Sequence, residues 1–124
     1  MLKTIRGLLA VTLFIPVLAG AGQIPVHPMD FDGSEEQKTL VINYITKHVY
    51  DQYCEGINMC QESMLRRMEQ KDLDAFKFLT KAENRKVLDQ AITDYCKTMD
   101  ICSFSMIQRM YEKNLAASKQ KLSW

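Results

Sequence analysis

Glycine and proline are scarce in this chain: it holds five glycines and three prolines in 124 residues. All three prolines lie at or before Pro28, and beyond Gly33 the only glycine is Gly56. A segment so poor in turn formers, with no run alternating apolar and polar residues, excludes a strand-rich fold. Histidine is also rare. Only His27 and His48 occur, and neither lies near a cysteine in sequence, so the common zinc spacings are absent. No glycine-rich phosphate loop, nucleophilic triad or paired-carboxylate motif is present. These absences point away from an enzyme, and His48 is the only evident place to begin building an acid–base site. No cofactor is implied.

An excess of charge of one sign is missing as well. Sixteen basic residues face 15 acidic ones, so the chain carries no electrostatic footprint for nucleic acid and no basic excess to draw it to anionic lipid. The one continuous apolar run, Leu8–Val17, is too short to span a bilayer comfortably, which takes about 20 residues.

That run has a different reading. Lys3 and Arg6 precede it without an acid, and it gives way to Leu18-Ala19-Gly20-Ala21-Gly22, where Ala19 and Ala21 satisfy the small-x-small rule before a cleaved bond. A basic start, a short apolar middle and a small-residue end define a secretory signal peptide, here residues 1–21. The expectation is a periplasmic or secreted protein with no membrane span after cleavage.

Export changes the meaning of the four cysteines, Cys54, Cys60, Cys96 and Cys102. In an oxidising compartment an even number of cysteines reads as disulfides. Their spacing, Cys-x5-Cys twice, differs from the Cys-x2-Cys motif of redox enzymes. The pairs belong to a larger repeat. Residues 53–73 align with residues 95–115 at an offset of 42 without a gap. Nine of the 21 positions are identical: Tyr53/Tyr95, Cys54/Cys96, Cys60/Cys102, Ser63/Ser105, Met64/Met106, Arg67/Arg109, Met68/Met110, Lys71/Lys113 and Leu73/Leu115. The chain therefore contains a duplicated unit, and the unit is helix, cysteine turn, helix.

Helical geometry restricts the pairing. In an unbroken helix, residues six apart lie about 9 Å apart along the axis, beyond the roughly 7 Å that a disulfide tolerates between Cα atoms. Cys54 and Cys60 can bond only if the chain turns between them, which Gly56 and Asn58 predict, with Cys60 then in the first turn of the next helix. Pairing across the repeats, such as Cys54 with Cys102, is the alternative. Pairing within each repeat, Cys54–Cys60 and Cys96–Cys102, is favoured because a single ancestral hairpin would have needed its own staple. The layout is similar to other disulfide-stapled helical hairpins, such as the twin-cysteine coiled-helix proteins, whose usual spacing is longer; no functional residue is carried over from that likeness.

The expected fold is all-α, with four main helices forming two Cys-x5-Cys hairpins. Residues 22–33 read as an extended, mobile arm, and residues 34–124 as a helical domain with repeats at about 40–73 and 82–115. Ser34-Glu35-Glu36-Gln37 and Thr80-Lys81-Ala82-Glu83 read as capping boxes. Asn58 and Asp100 read as caps of the helices that follow the cysteine turns. The second helix is expected to reach about Asp72, with a further turn or two at Leu73–Leu79. Trp124 reads as part of a frayed end.

Two sets of residues are candidates for binding. Arg67 and Arg109 recur at matching places and suit an anionic partner. Met64, Met68, Met106 and Met110 suit an adaptable apolar groove between the hairpins, or, together with free thiols, a soft ion such as Cu(I). The first functional expectation is an exported module that binds a protein or peptide. The second is a small-molecule or copper carrier of the export compartment.

Overall fold

The computed structural model describes residues 23–99 and 102–124. The proposed signal peptide, residues 1–21, and the proposed cap Asp100 lie outside the described residues. Within them the fold is all-α, with no strand and four helices: α1 (Glu35–Tyr50), α2 (Glu62–Leu79), α3 (Arg85–Ile92) and α4 (Phe104–Ser118). The duplication is visible in the backbone. Each hairpin's first helix opens into a wide π-type turn, Asp51–Gly56 after α1 and Thr93–Thr98 after α3, at the same offset as the sequence repeat. The helices that follow, α2 and α4, begin in matching register as well.

Both cysteine pairs are closed within their own repeat, and no cysteine is free among the described residues. Cα–Cα separations of 4.4 Å in both show that the chain has turned rather than continued as helix. The turn is made differently from the expectation. Asn58, not Gly56, takes the left-handed conformation, with φ of 54°; a short polar side chain tolerates that region. Asn58 therefore does not cap α2. Gln61 occupies the cap position there without a side-chain hydrogen bond. Cys60 and Cys102 each precede their helix by two residues instead of lying in its first turn.

The other caps are mixed. Ser34 caps α1, its hydroxyl accepting from the Gln37 amide at 3.2 Å. Glu35 and Glu36 in the first turn and Lys47 and His48 in the last complement the helix dipole. Thr80 does not open α3. It ends α2, which runs unbroken to Leu79, and the Thr80 hydroxyl donates to the Lys77 carbonyl. Asn84 caps α3 instead, accepting from the Val87 amide at 3.1 Å. Ser103 caps α4, accepting from the Met106 amide at 3.2 Å.

Packing follows from the apolar stripes. Val41, Ile45 and Val49 of α1 face Leu65, Phe76 and Leu79 of α2, and the core is completed by Leu88 and Ala91 of α3 with Phe104, Ile107 and Tyr111 of α4. Within each hairpin the two helices touch, and the hairpins join chiefly through α2 against α4.

The segment before α1 is not a free extended arm. Val26 and Pro28 are buried, and Pro28–Asp30 forms a single 3-10 turn. Phe31 meets Phe76 edge-on, with ring centroids 5.2 Å apart. Arg85 donates to both carboxylate oxygens of Asp30 at 2.7 Å, and His27 Nε2 lies 2.6 Å from Asp89. The Arg85 guanidinium holds the Asp30 carboxyl below the usual carboxylate range, and Asp30 in turn raises Arg85. Side chains scattered without a helical or strand period read as coil in sequence. Their partners lie far away in sequence, 55 residues for Asp30 and 62 for His27, which local pattern cannot reveal.

Candidate functional site: a cleft in the first hairpin

The second hairpin is pushed deep into the first. Phe104, fully buried, packs against Tyr44 at 5.6 Å and Phe76 at 5.0 Å between ring centroids. Tyr44 of α1 donates its hydroxyl to the Cys102 carbonyl at 2.5 Å. Asp72 of α2, buried, accepts from the Ser105 amide at 3.2 Å. An acid at that place satisfies an amide at the start of α4 and complements the positive end of its dipole. The second cystine is thereby enclosed, although Lys97, Thr98 and Met99 of its turn are exposed, while the first cystine is open to solvent: Cys96 is 6% and Cys102 1% exposed, but Cys60 is exposed and Cys54 half-buried.

The repeat partners explain the difference. Phe104 corresponds to Glu62, which cannot be buried in the same way. On the receiving side, Tyr44, Asp72 and Phe76 correspond to Lys86, Asn114 and Ser118. The first turn therefore has neither an aromatic anchor to insert nor an aromatic pocket to enter.

A second difference opens a cleft. Between α1 and α2 lies a recess of about 280 Å³ lined by Ile42, Ile45, Thr46, Arg66, Glu69, Gln70 and Leu73. Its floor is apolar, and Arg66 guards the rim, bonded to Glu69 at 2.9 Å and Glu62 at 3.4 Å. Ile42 is 51% exposed and Leu40, two residues before it, 45%. At the corresponding place in the second hairpin, Leu88 replaces Thr46 and Tyr111 replaces Glu69. Both are buried, and the Tyr111 hydroxyl accepts from the amides of Glu83 and Asn84 at 3.1 and 3.3 Å. Tyr111 thus reaches across to the start of α3 and fills its own hairpin, where Glu69 turns to Arg66 and leaves the gap open.

The residues singled out from sequence are distributed elsewhere. Arg67 and Arg109 are both exposed, and neither forms an ion pair among the described residues. Met68 and Met110 pack against the core, and Met64 and Met106 are half-buried. None of the four methionines lines the α1–α2 cleft. Closed cystines offer no thiolate to a soft metal. His48 stacks on Tyr44, ring centroids 5.6 Å apart and planes within 10°, and its Nε2 meets no hydrogen-bond partner among the described residues.

The helical stripes of α1 and α2 do not reveal the cleft, because it depends on the repeat partners of Thr46 and Glu69. The signal was there in the substitution of an acid for Tyr111 at an otherwise matching stripe. In class, this is a small helical protein made of two duplicated, disulfide-closed hairpins. No family model, curated protein or solved structure matches the chain.

Proposed function

We propose that this is an exported helical protein that acts by binding another protein or peptide, with no catalysis of its own. Two closed disulfides are at home in an oxidising compartment. Among the described residues no helix is long and apolar enough to cross a membrane. The observation that carries the binding role is the unfilled α1–α2 cleft, whose duplicate is filled by the chain's own Tyr111. An apolar or aromatic side chain of a partner helix or peptide would take the same place, in the manner of helix-in-groove recognition. Ile42 would extend the contact, with Arg66 and Glu69 at its polar edge.

Photo-crosslinking tests this. A photoreactive aromatic residue is placed at Ile42 and, as a control, at the exposed Phe78 on α2. The chain is expressed with its N-terminal segment intact. A discrete crosslinked species is expected from position 42 and not from position 78. Glu69→Tyr, which copies the residue that closes the other hairpin, is expected to abolish it while leaving the helical circular dichroism unchanged. Equal crosslinking from both positions, or none from position 42, would overturn the reading.

A further inference from the structure

The two cystines share a sequence spacing and a Cα–Cα separation of 4.4 Å. They differ in their surroundings. Cys96 and Cys102 are both buried, the carbonyl of Cys102 is held by Tyr44, and the following helix is capped by Ser103 and Asp72. In the first hairpin every residue from Glu55 to Glu62 is exposed, Cys60 among them. Cys60 belongs to no helix, and Gln61 places no side-chain cap on the start of α2. Cys54 is half-buried and packs against the core. Thiol–disulfide exchange requires a thiolate to reach a sulfur, so access separates two otherwise matching bonds.

We infer that Cys54–Cys60 is a thiol–disulfide exchange site for an external dithiol, and that Cys96–Cys102 is a structural bond that does not exchange in the folded protein. The thiolate of the dithiol attacks Sγ of Cys60. The Cys54–Cys60 bond breaks, a mixed disulfide forms on Cys60, and Cys54 leaves as a thiolate that takes up a proton. The second thiol of the reagent, as its thiolate, then attacks its own sulfur in the mixed disulfide. Cys60 is released, the dithiol leaves as a disulfide, and the protein has gained two electrons and two protons. Only the exposed turn is freed. Val41, Ile45, Val49 and Leu65 of the core keep α1 and α2 together. A monothiol does not carry the reaction through, because Cys54 stays tethered six residues from Cys60 and attacks the mixed disulfide back. The natural reagent by this chemistry is a dithiol protein of the oxidising compartment, and dithiothreitol serves as its probe.

The experiment uses the folded chain with both disulfides intact. It is incubated with graded dithiothreitol, quenched with iodoacetamide and mapped by peptide mass, while circular dichroism follows the helices. Cys54 and Cys60 are expected to be alkylated together on the order of 100-fold faster than Cys96 and Cys102, which react only in locally opened molecules. The singly reduced species is expected to stay helical, and glutathione alone to leave both bonds largely closed. Reduction of both pairs at comparable rates, prior reduction of Cys96–Cys102, or resistance of both until denaturant is added would each overturn the inference. So would loss of helical signal on opening Cys54–Cys60. None of these outcomes bears on whether the α1–α2 cleft binds a partner.

Discussion

The first hairpin leaves its cystine and its interhelical cleft open, and the second buries the one and fills the other. Both carry the same sequence repeat, and both share its backbone register, its wide turn and its disulfide. The divergence lies in a few side chains: Phe104 against Glu62, Tyr111 against Glu69, Leu88 against Thr46. A duplicated motif fixes where helices begin and turn. What those turns do is decided by residues the motif does not specify. In this pair the second hairpin has become the anchor, and the first carries the exposed surface.

The strongest way to break the comparison is at its anchor. Phe104 is fully buried against Tyr44 and Phe76, and Phe104→Ala should cost about 3–5 kcal/mol through lost transfer energy and a cavity. Its repeat partner Glu62 is exposed, and Glu62→Ala should change stability by no more than about 0.5 kcal/mol. Urea denaturation of the two variants checks the contrast. Similar midpoints would mean that the second turn is not anchored by this ring.

Removing the disulfides one at a time sharpens the same contrast. Each closes a loop of similar size, so Cys54→Ala with Cys60→Ala should cost about 2 kcal/mol from the unfolded chain's regained freedom. Cys96→Ala with Cys102→Ala should cost about 4 kcal/mol, because the same entropy is joined by lost packing of two buried sulfurs. Thermal or urea unfolding of the two double variants reads the difference directly. Equal losses would show that burial adds nothing to the second bond.

The fold was largely legible in the sequence, and the reason is periodicity. Val41, Ile45 and Val49 recur every four residues and are buried together, and the offset of 42 marks both hairpins and favours the pairing of cysteines that the structure shows. The caps were less legible. Thr80 and Glu83 satisfy the box pattern, yet Phe78 and Leu79 carry α2 forward to its end at Leu79, and Tyr111 from another helix fixes where α3 starts. The cleft was not legible at all from the stripe of methionines. It arises from side chains that are missing relative to the other repeat, and an absence of volume leaves no periodic trace. The docked segment before α1 escaped for a related reason: Asp30 and Arg85 are far apart in sequence, and nothing local announces their meeting.

A smaller effect separates the two hairpins at their polar contact. Asp72 is buried and accepts from Ser105 at the start of α4. Asp72→Ala leaves that half-buried amide without its partner and should cost about 1–3 kcal/mol. Asn114, its repeat partner, is half-buried, and Asn114→Ala should be close to neutral, within about 0.5 kcal/mol. Hydrogen exchange of the Ser105 amide gives a local reading alongside global stability. Unchanged protection there in Asp72→Ala would show that Ser103 alone secures the start of α4.

The smallest expected effect lies in the segment before α1, which ties itself to the second hairpin through Asp30–Arg85 and His27–Asp89. The Asp30 carboxyl is held below its usual range chiefly by hydrogen bonds from Arg85, and that of Asp32 by the Ser34 hydroxyl and amide. A carboxyl depressed in the folded state favours folding at pH above its unfolded value, and the benefit fades as the pH falls through its lower folded value. Acidification below the ordinary carboxylate range should therefore loosen this segment, and Asp30→Asn should loosen it already at neutral pH. Both groups are exposed and screened by solvent, so the effect should be local, with the global midpoint almost unmoved. Limited proteolysis at Phe31 measures it. Faster cleavage at Phe31 in Asp30→Asn, with α1 to α4 intact, is the expected result. Cleavage at the wild-type rate would mean that Val26, Pro28 and Phe31 hold the segment without the ion pair, and that its contacts with the core outweigh its charges.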